Sequence, residues 1–68
     1  MTAPLLRTGG RAWGPERVRL GISIRRLAAL SGVDKAILSM AENGRLIPSA
    51  DEYEAVTAAL RKVREAVG

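Results

Sequence analysis

The 68-residue chain has no cysteine, no histidine and no phenylalanine, with a single Trp and a single Tyr. Without Cys or His there is no disulfide framework and no thiolate or imidazole metal site. Every nucleophilic mechanism that depends on those two side chains is excluded as well. Seven carboxylates remain, but four of them, Asp51, Glu52, Glu54 and Glu65, fall in one helical pattern near the C-terminus. The others make no evident pair in a cleft. An enzyme is therefore not expected, nor a cofactor, a metal or a small-molecule ligand. No apolar run approaches the roughly 18 residues of a membrane span. The start, Met-Thr-Ala-Pro-Leu-Leu-Arg, lacks the basic region and long apolar core of a secretory signal. A cytoplasmic protein is expected, without membrane partners.

What is present is an aliphatic vocabulary. Hydrophobic residues make up 47% of the chain, and with so few aromatics the core must be Leu, Ile, Val and Ala, residues that suit helices. The length allows one domain with a modest core. The net charge of +4 is unevenly spread: residues 1–26 carry +5, residues 27–50 balance, and residues 51–68 carry −1. An electropositive first part fits a polyanion-facing side, and a near-neutral remainder fits a structural or partner-facing one. Scattered solubilising charge is the alternative reading.

Residues 1–12 show little periodicity and contain Pro4, Gly9 and Gly10, which predicts a flexible N-terminal arm ahead of a folded domain over residues 13–68. Trp13 should pack on the core. Gly14-Pro15-Glu16 reads as a helix entry, with helix one from Pro15 to Leu20 and Gly21 ending it. Ser23 is a good N-cap for a helix from Ile24 to about Ser31, ended by Gly32. Asp34 caps the next, Lys35 to Asn43, closed by Gly44, with Ile37, Leu38 and Ala41 facing inward. Ser49 and Glu52 have the spacing of a capping box, so the last helix should span residues 50–67. Along it Tyr53, Val56, Leu60, Val63 and Val67 form an apolar seam. Val63 and Val67 extend past the small core, and self-association, a frayed helix end or packing against the N-terminal arm accounts for them.

The centre of the chain, residues 23–44, is two short helices about a Gly-containing corner, the layout of a helix-turn-helix. The run L-A-x-x-S-G-V-x-x-x-x-L-S-x-A-E-N-G, followed by Pro48, resembles the lambda-repressor/Cro-type (XRE) helix-turn-helix family. The similarity covers Glu16 to Leu60, about two thirds of the chain. It implies an all-α fold of about four helices, lambda-repressor-like. It also implies an ion pair between Arg17 and Glu42 tying the first helix to the third.

By the same resemblance, Lys35, Ala36, Ser39 and Met40 are the base-reading positions. Their chemistry suits the major groove: Lys35 can donate to guanine, Ser39 can donate or accept, and Ala36 or Met40 can meet a thymine methyl. Met40 as a core filler and Ala36 as a plain helix former are the alternatives. Phosphate contacts are expected from Ser23, Arg25 and Arg26 at the start of the second helix, and from Asn43 and Arg45 after the third. Arg7 and Arg11 in the arm could reach a minor groove, or belong to a solvated tail. Three departures from the family pattern stand out: Ile24 where Gln is common, Asp34 where Ser or Thr is usual, and no fifth helix.

The implied activity is sequence-specific binding of double-stranded DNA by a transcriptional regulator. With no room for an effector domain, the resemblance is to a small Cro-like phage or prophage repressor acting by operator occupancy. Few base contacts per module point to a homodimer on a palindromic operator, with Val63 and Val67 as dimer contacts and half-sites about one turn (roughly 34 Å) apart. A protein-interaction module, such as an antitoxin or anti-repressor using the last helix, is the alternative. An architectural protein that bends DNA is a third.

Overall fold

The computed structural model describes the backbone of residues 3–67 and the side chains of residues 10–67. Four helices follow in order: α1 (Ala3–Arg19), α2 (Ile24–Ser31), α3 (Lys35–Glu42) and α4 (Ala50–Val67). No strand occurs among the described residues. No helix there is long and apolar enough to cross a membrane.

Three of the four helix starts are fixed by local hydrogen bonds. The Ser23 hydroxyl accepts from the Arg26 N–H at 3.0 Å, and the Asp34 carboxylate accepts from the Ala36 N–H at 2.8 Å. At the head of α4 the bonds are reciprocal: Ser49 Oγ accepts from the Glu52 N–H at 3.1 Å, while the Glu52 carboxylate accepts from the Ser49 N–H at 2.9 Å. Each bond satisfies a backbone donor that has no partner within its helix. The corner between α2 and α3 is closed by Gly32 at φ 76°, whose N–H donates to the Ala28 carbonyl. A side chain there would crowd the following carbonyl oxygen.

The core takes at least one residue from every helix: Trp13 from α1, Leu27 from α2, Leu38 and Ala41 from α3, and Val56, Ala59 and Leu60 from α4. Val33 plugs the corner beneath Gly32. Leu27, Leu38 and Val56 are fully buried, so three helices meet over three aliphatic side chains. No polar or charged residue is buried among the described residues.

The N-terminal segment corrects the expectation of an arm. Helix one starts at Ala3, not at Pro15, and residues 3–12 are helical. Pro4 falls in its first turn, where a missing N–H costs nothing, and Pro15 lies inside it at the cost of one bond, to the Arg11 carbonyl. Tertiary packing outweighs these weak local propensities. Trp13 is only 3% exposed and lies against Tyr53, ring centroids 5.7 Å apart at 39°.

Gly10 sits so close to α3 that a Cβ would come within 2.9 Å of the Ala41 Cβ and 3.0 Å of its carbonyl oxygen. Gly14, one turn on, faces the Glu42 carboxylate, where a Cβ would lie 3.3 Å from Oε1. The two glycines are a contact surface that lets α1 approach α3 closely, not a flexible hinge. The third helix ends at Glu42, with Asn43 as its cap rather than its last turn.

Candidate nucleic-acid interface

The site is built on the outward face of α3. Lys35, Ala36, Ser39 and Met40 are all exposed, with Met40 at 40%. The opposite face carries Leu38 and Ala41 into the core, with Ile37 partly buried at the edge. Positions 36, 39, 40 and 43 share one side of a helix with 3.6 residues per turn, so burial of 38 and 41 turns that side outward. Met40 lies at the surface, not in the core.

One arginine holds α3 in place from behind. Arg17 on α1 donates through Nε to Glu42 Oε2 at 3.0 Å and through Nη2 to Oε1 at 3.2 Å. Its remaining nitrogen, Nη1, donates to the Ile22 carbonyl at 3.0 Å in the turn before α2. One guanidinium thus joins α1, the α1–α2 turn and the end of α3. The side chains are 18% and 12% exposed, and the hydrogen bond to Glu42 raises the Arg17 pKa above its already high ordinary value, against the opposing effect of burial. Gly14 leaves the space this carboxylate occupies.

A helix-turn-helix family model matches residues 16–67. The chain belongs to the helix-turn-helix family, of the lambda-repressor/Cro (XRE) type. No curated protein and no solved structure matched it. The family is one of DNA-binding transcription regulators, which makes this chain a double-stranded-DNA-binding protein of that general class. Within the helix-turn-helix, α2 is the supporting helix and α3 the one the family presents to DNA. The match begins after Pro15, so all of α1 but its last four residues, with Gly10, Arg11, Trp13 and Gly14, lies outside it.

The basic residues around the motif divide into groups. Ser23, Arg25 and Arg26 sit at the start of α2, all exposed. The Ser23 hydroxyl already takes the Arg26 N–H, leaving the Ile24 and Arg25 N–H groups as the donors without a helical acceptor. Arg26 borders a shallow groove with Leu30, Lys62 and Val67, so it stands toward α4 while Arg25 stands a further 100° or so round the helix.

Asn43 and Arg45 are exposed after α3. The Asn43 amide is turned back to donate to the Ser39 carbonyl at 2.8 Å. Arg11 is on helix α1 rather than an arm, its guanidinium packed over Gly44. The side chain of Arg7 lies outside the described residues. Val63 is partly buried, and Val67, at 70% exposure, lines the groove beside α2.

Three residues escaped the sequence reading. Gly10 and Gly14 were legible as a pair four apart, which places both on one helix face. Leu30, 46% exposed on α2, gave no signal, because only the placement of α4 makes it part of an apolar surface.

Proposed function

We propose that the chain is a transcriptional repressor that acts by occupying its operator, in the manner of a Cro-like regulator. Lys35, Ala36, Ser39 and Met40 read base edges in the major groove. Ser23, Arg25 and Arg26 hold phosphates at one end of the motif, and Asn43 and Arg45 hold them at the other. Of the two arginines at the start of α2, Arg25 is the stronger phosphate ligand, since Arg26 shares its surroundings with the apolar groove. The observation supporting this reading most directly is the outward face of α3. Four side chains with hydrogen-bonding or methyl-contacting chemistry stand exposed on a helix whose back is pinned by the core and by Arg17–Glu42.

A single module offers few base contacts, so two copies on a palindromic operator supply the specificity. The exposed Val67 and the groove it shares with Val63, Leu30 and Ile22 favour a homodimer through α2 and the end of α4. In-vitro selection of bound DNA tests the whole reading. A palindromic consensus is the expected outcome; no enrichment over random duplexes would sink it. A gel-shift series adds the electrostatic check, with affinity expected to fall steeply between about 50 and 200 mM salt.

A further inference from the structure

We propose that Arg11, on the first half of α1, contacts a DNA backbone phosphate and extends the binding surface past the C-terminal end of α3. This rests on the DNA-binding reading above and adds a contact from a segment outside the family match.

The row of exposed positions along α3 continues to its cap, Asn43. The chain then turns at Gly44, where φ is 73°, and the Arg11 guanidinium covers that turn. A Cβ on Gly44 would overlap the guanidinium Nε and stand 2.6 Å from Nη2. The absence of a side chain at Gly44 thus seats a planar cation directly beyond the reading face, next to Arg45.

Arg11 is exposed, and no carboxylate among the described residues pairs with it; the ion pairs there are Arg17–Glu42 and Arg64–Glu16. Nε and Nη2 stand nearer the Gly44 Cβ position than Cζ does, so that edge of the guanidinium is turned to the glycine and the Nη1–Nη2 end points away from it, with N–H groups spaced for a phosphate. The contact between Gly10 and Ala41 anchors the residue before it, so the guanidinium is positioned in advance and loses less freedom on binding. The Asn43 amide is already committed in part to the Ser39 carbonyl, which leaves Arg11 and Arg45 as the cationic pair at this end of α3.

The competing role is structural: a cation at the C-terminal end of α3 satisfies its dipole whether or not DNA is bound. Salt dependence separates the two. A phosphate contact on duplex DNA contributes about −0.9 to the slope of log affinity against log salt, so each accounts for about 3.5-fold of the affinity lost between 50 and 200 mM.

The experiment compares the full chain with Arg11→Gln and Arg61→Gln, measuring affinity for two mixed-sequence DNA duplexes, one A·T-rich and one G·C-rich. Arg61 lies on the exposed side of α4 and reports the effect of removing any one positive charge. The proposal expects Arg11→Gln to shrink the salt-dependent loss by about 3.5-fold on both duplexes, beyond any change from Arg61→Gln. A slope equal to that of Arg61→Gln overturns it, with or without a drop in melting temperature. So does a loss confined to the A·T-rich duplex, which would mark a groove contact instead. Should Arg11→Gln fail to fold, Arg11→Lys decides: severalfold weaker binding by a folded variant supports the fork contact, and unchanged binding overturns it. Failure of the unaltered chain to bind either duplex would reject the DNA-binding reading itself, an outcome distinct from a normal wild-type slope that Arg11→Gln leaves intact.

Discussion

Gly10 and Arg17 show how single residues set the position of α3. Helix propensity alone favours alanine over glycine by about 1 kcal/mol in a helix interior. At Gly10 the added methyl meets the Ala41 Cβ at 2.9 Å and backbone at 3.0 Å, and neither is the end of a flexible chain. Overpacking of this kind costs about 1–3 kcal/mol, so Gly10→Ala should lower stability in spite of propensity. A thermal melt followed by circular dichroism reads the sign directly, since 1 kcal/mol corresponds to about 4–8 °C in a domain this small.

The Arg17–Glu42 pair makes the second residue-scale prediction. Glu42→Gln leaves the partly buried guanidinium without its anion and should cost about 2 kcal/mol, whereas a pair on the open surface would cost well under 1. Because the folded state raises the Arg17 pKa, the stabilising charge is fully present below the unfolded value and is lost only as pH rises past the folded one. Titration of Arg17 therefore leaves no mark on stability between about pH 4 and 10, far below the ordinary arginine range.

At the scale of elements, the caps explain why three helices begin where they do. Asp34 is the informative case, because the cap it makes and the proposed DNA contact place opposite demands on its charge. Its carboxylate caps α3 through the Ala36 N–H, yet under the proposed reading it brings negative charge to a helix end that faces DNA. Asp34→Ser keeps an oxygen acceptor and removes the charge. Stability should change by only a few tenths of a kcal/mol, since Ser and Asp cap about equally, while DNA affinity should rise at low salt. An unchanged or weaker gel shift with an unaltered melt would show that Asp34 lies clear of the phosphates.

The contrast with α1 is instructive. Ser23, Asp34 and Ser49 declare their helices through bonds no more than three residues long. Helix α1 has no such signal: its glycines and prolines are poor helix formers by local rules, and Trp13 and Gly10 find their partners on α4 and α3. A reading confined to neighbours along the chain has no access to those contacts.

For the whole molecule, the prediction concerns the apolar groove between α2 and the end of α4. Ile22, Leu30, Val63, Ala66 and Val67 line it, with Arg26 and Lys62 at its rim. α4 continues unbroken to Val67, and its last turns border this surface. A homodimer formed there predicts that Leu30→Glu combined with Val67→Glu leaves the melt nearly unchanged, both side chains being exposed. The same variant should bind a palindromic operator no more tightly than a half-site. Sedimentation with and without DNA checks this. Retention of the two-site preference would place the dimer surface elsewhere.

The sequence by itself determined the fold class, the caps, the Gly32 corner and the family, because these rest on residue type and spacing over a few positions. It also identified Arg17 and Glu42, though only through resemblance, since the two stand 25 residues apart. Tertiary structure decided the rest. It made a helix of the segment around Gly10 and turned Met40 to the surface. It separated Arg26 from Arg25, and it set Arg11 over Gly44 at the end of α3. In each case the deciding energy is contact between helices distant in sequence: burial of Trp13, or the fit of a glycine against a neighbouring backbone. Local propensity, worth about 1 kcal/mol per residue or less for all but proline, does not outweigh it.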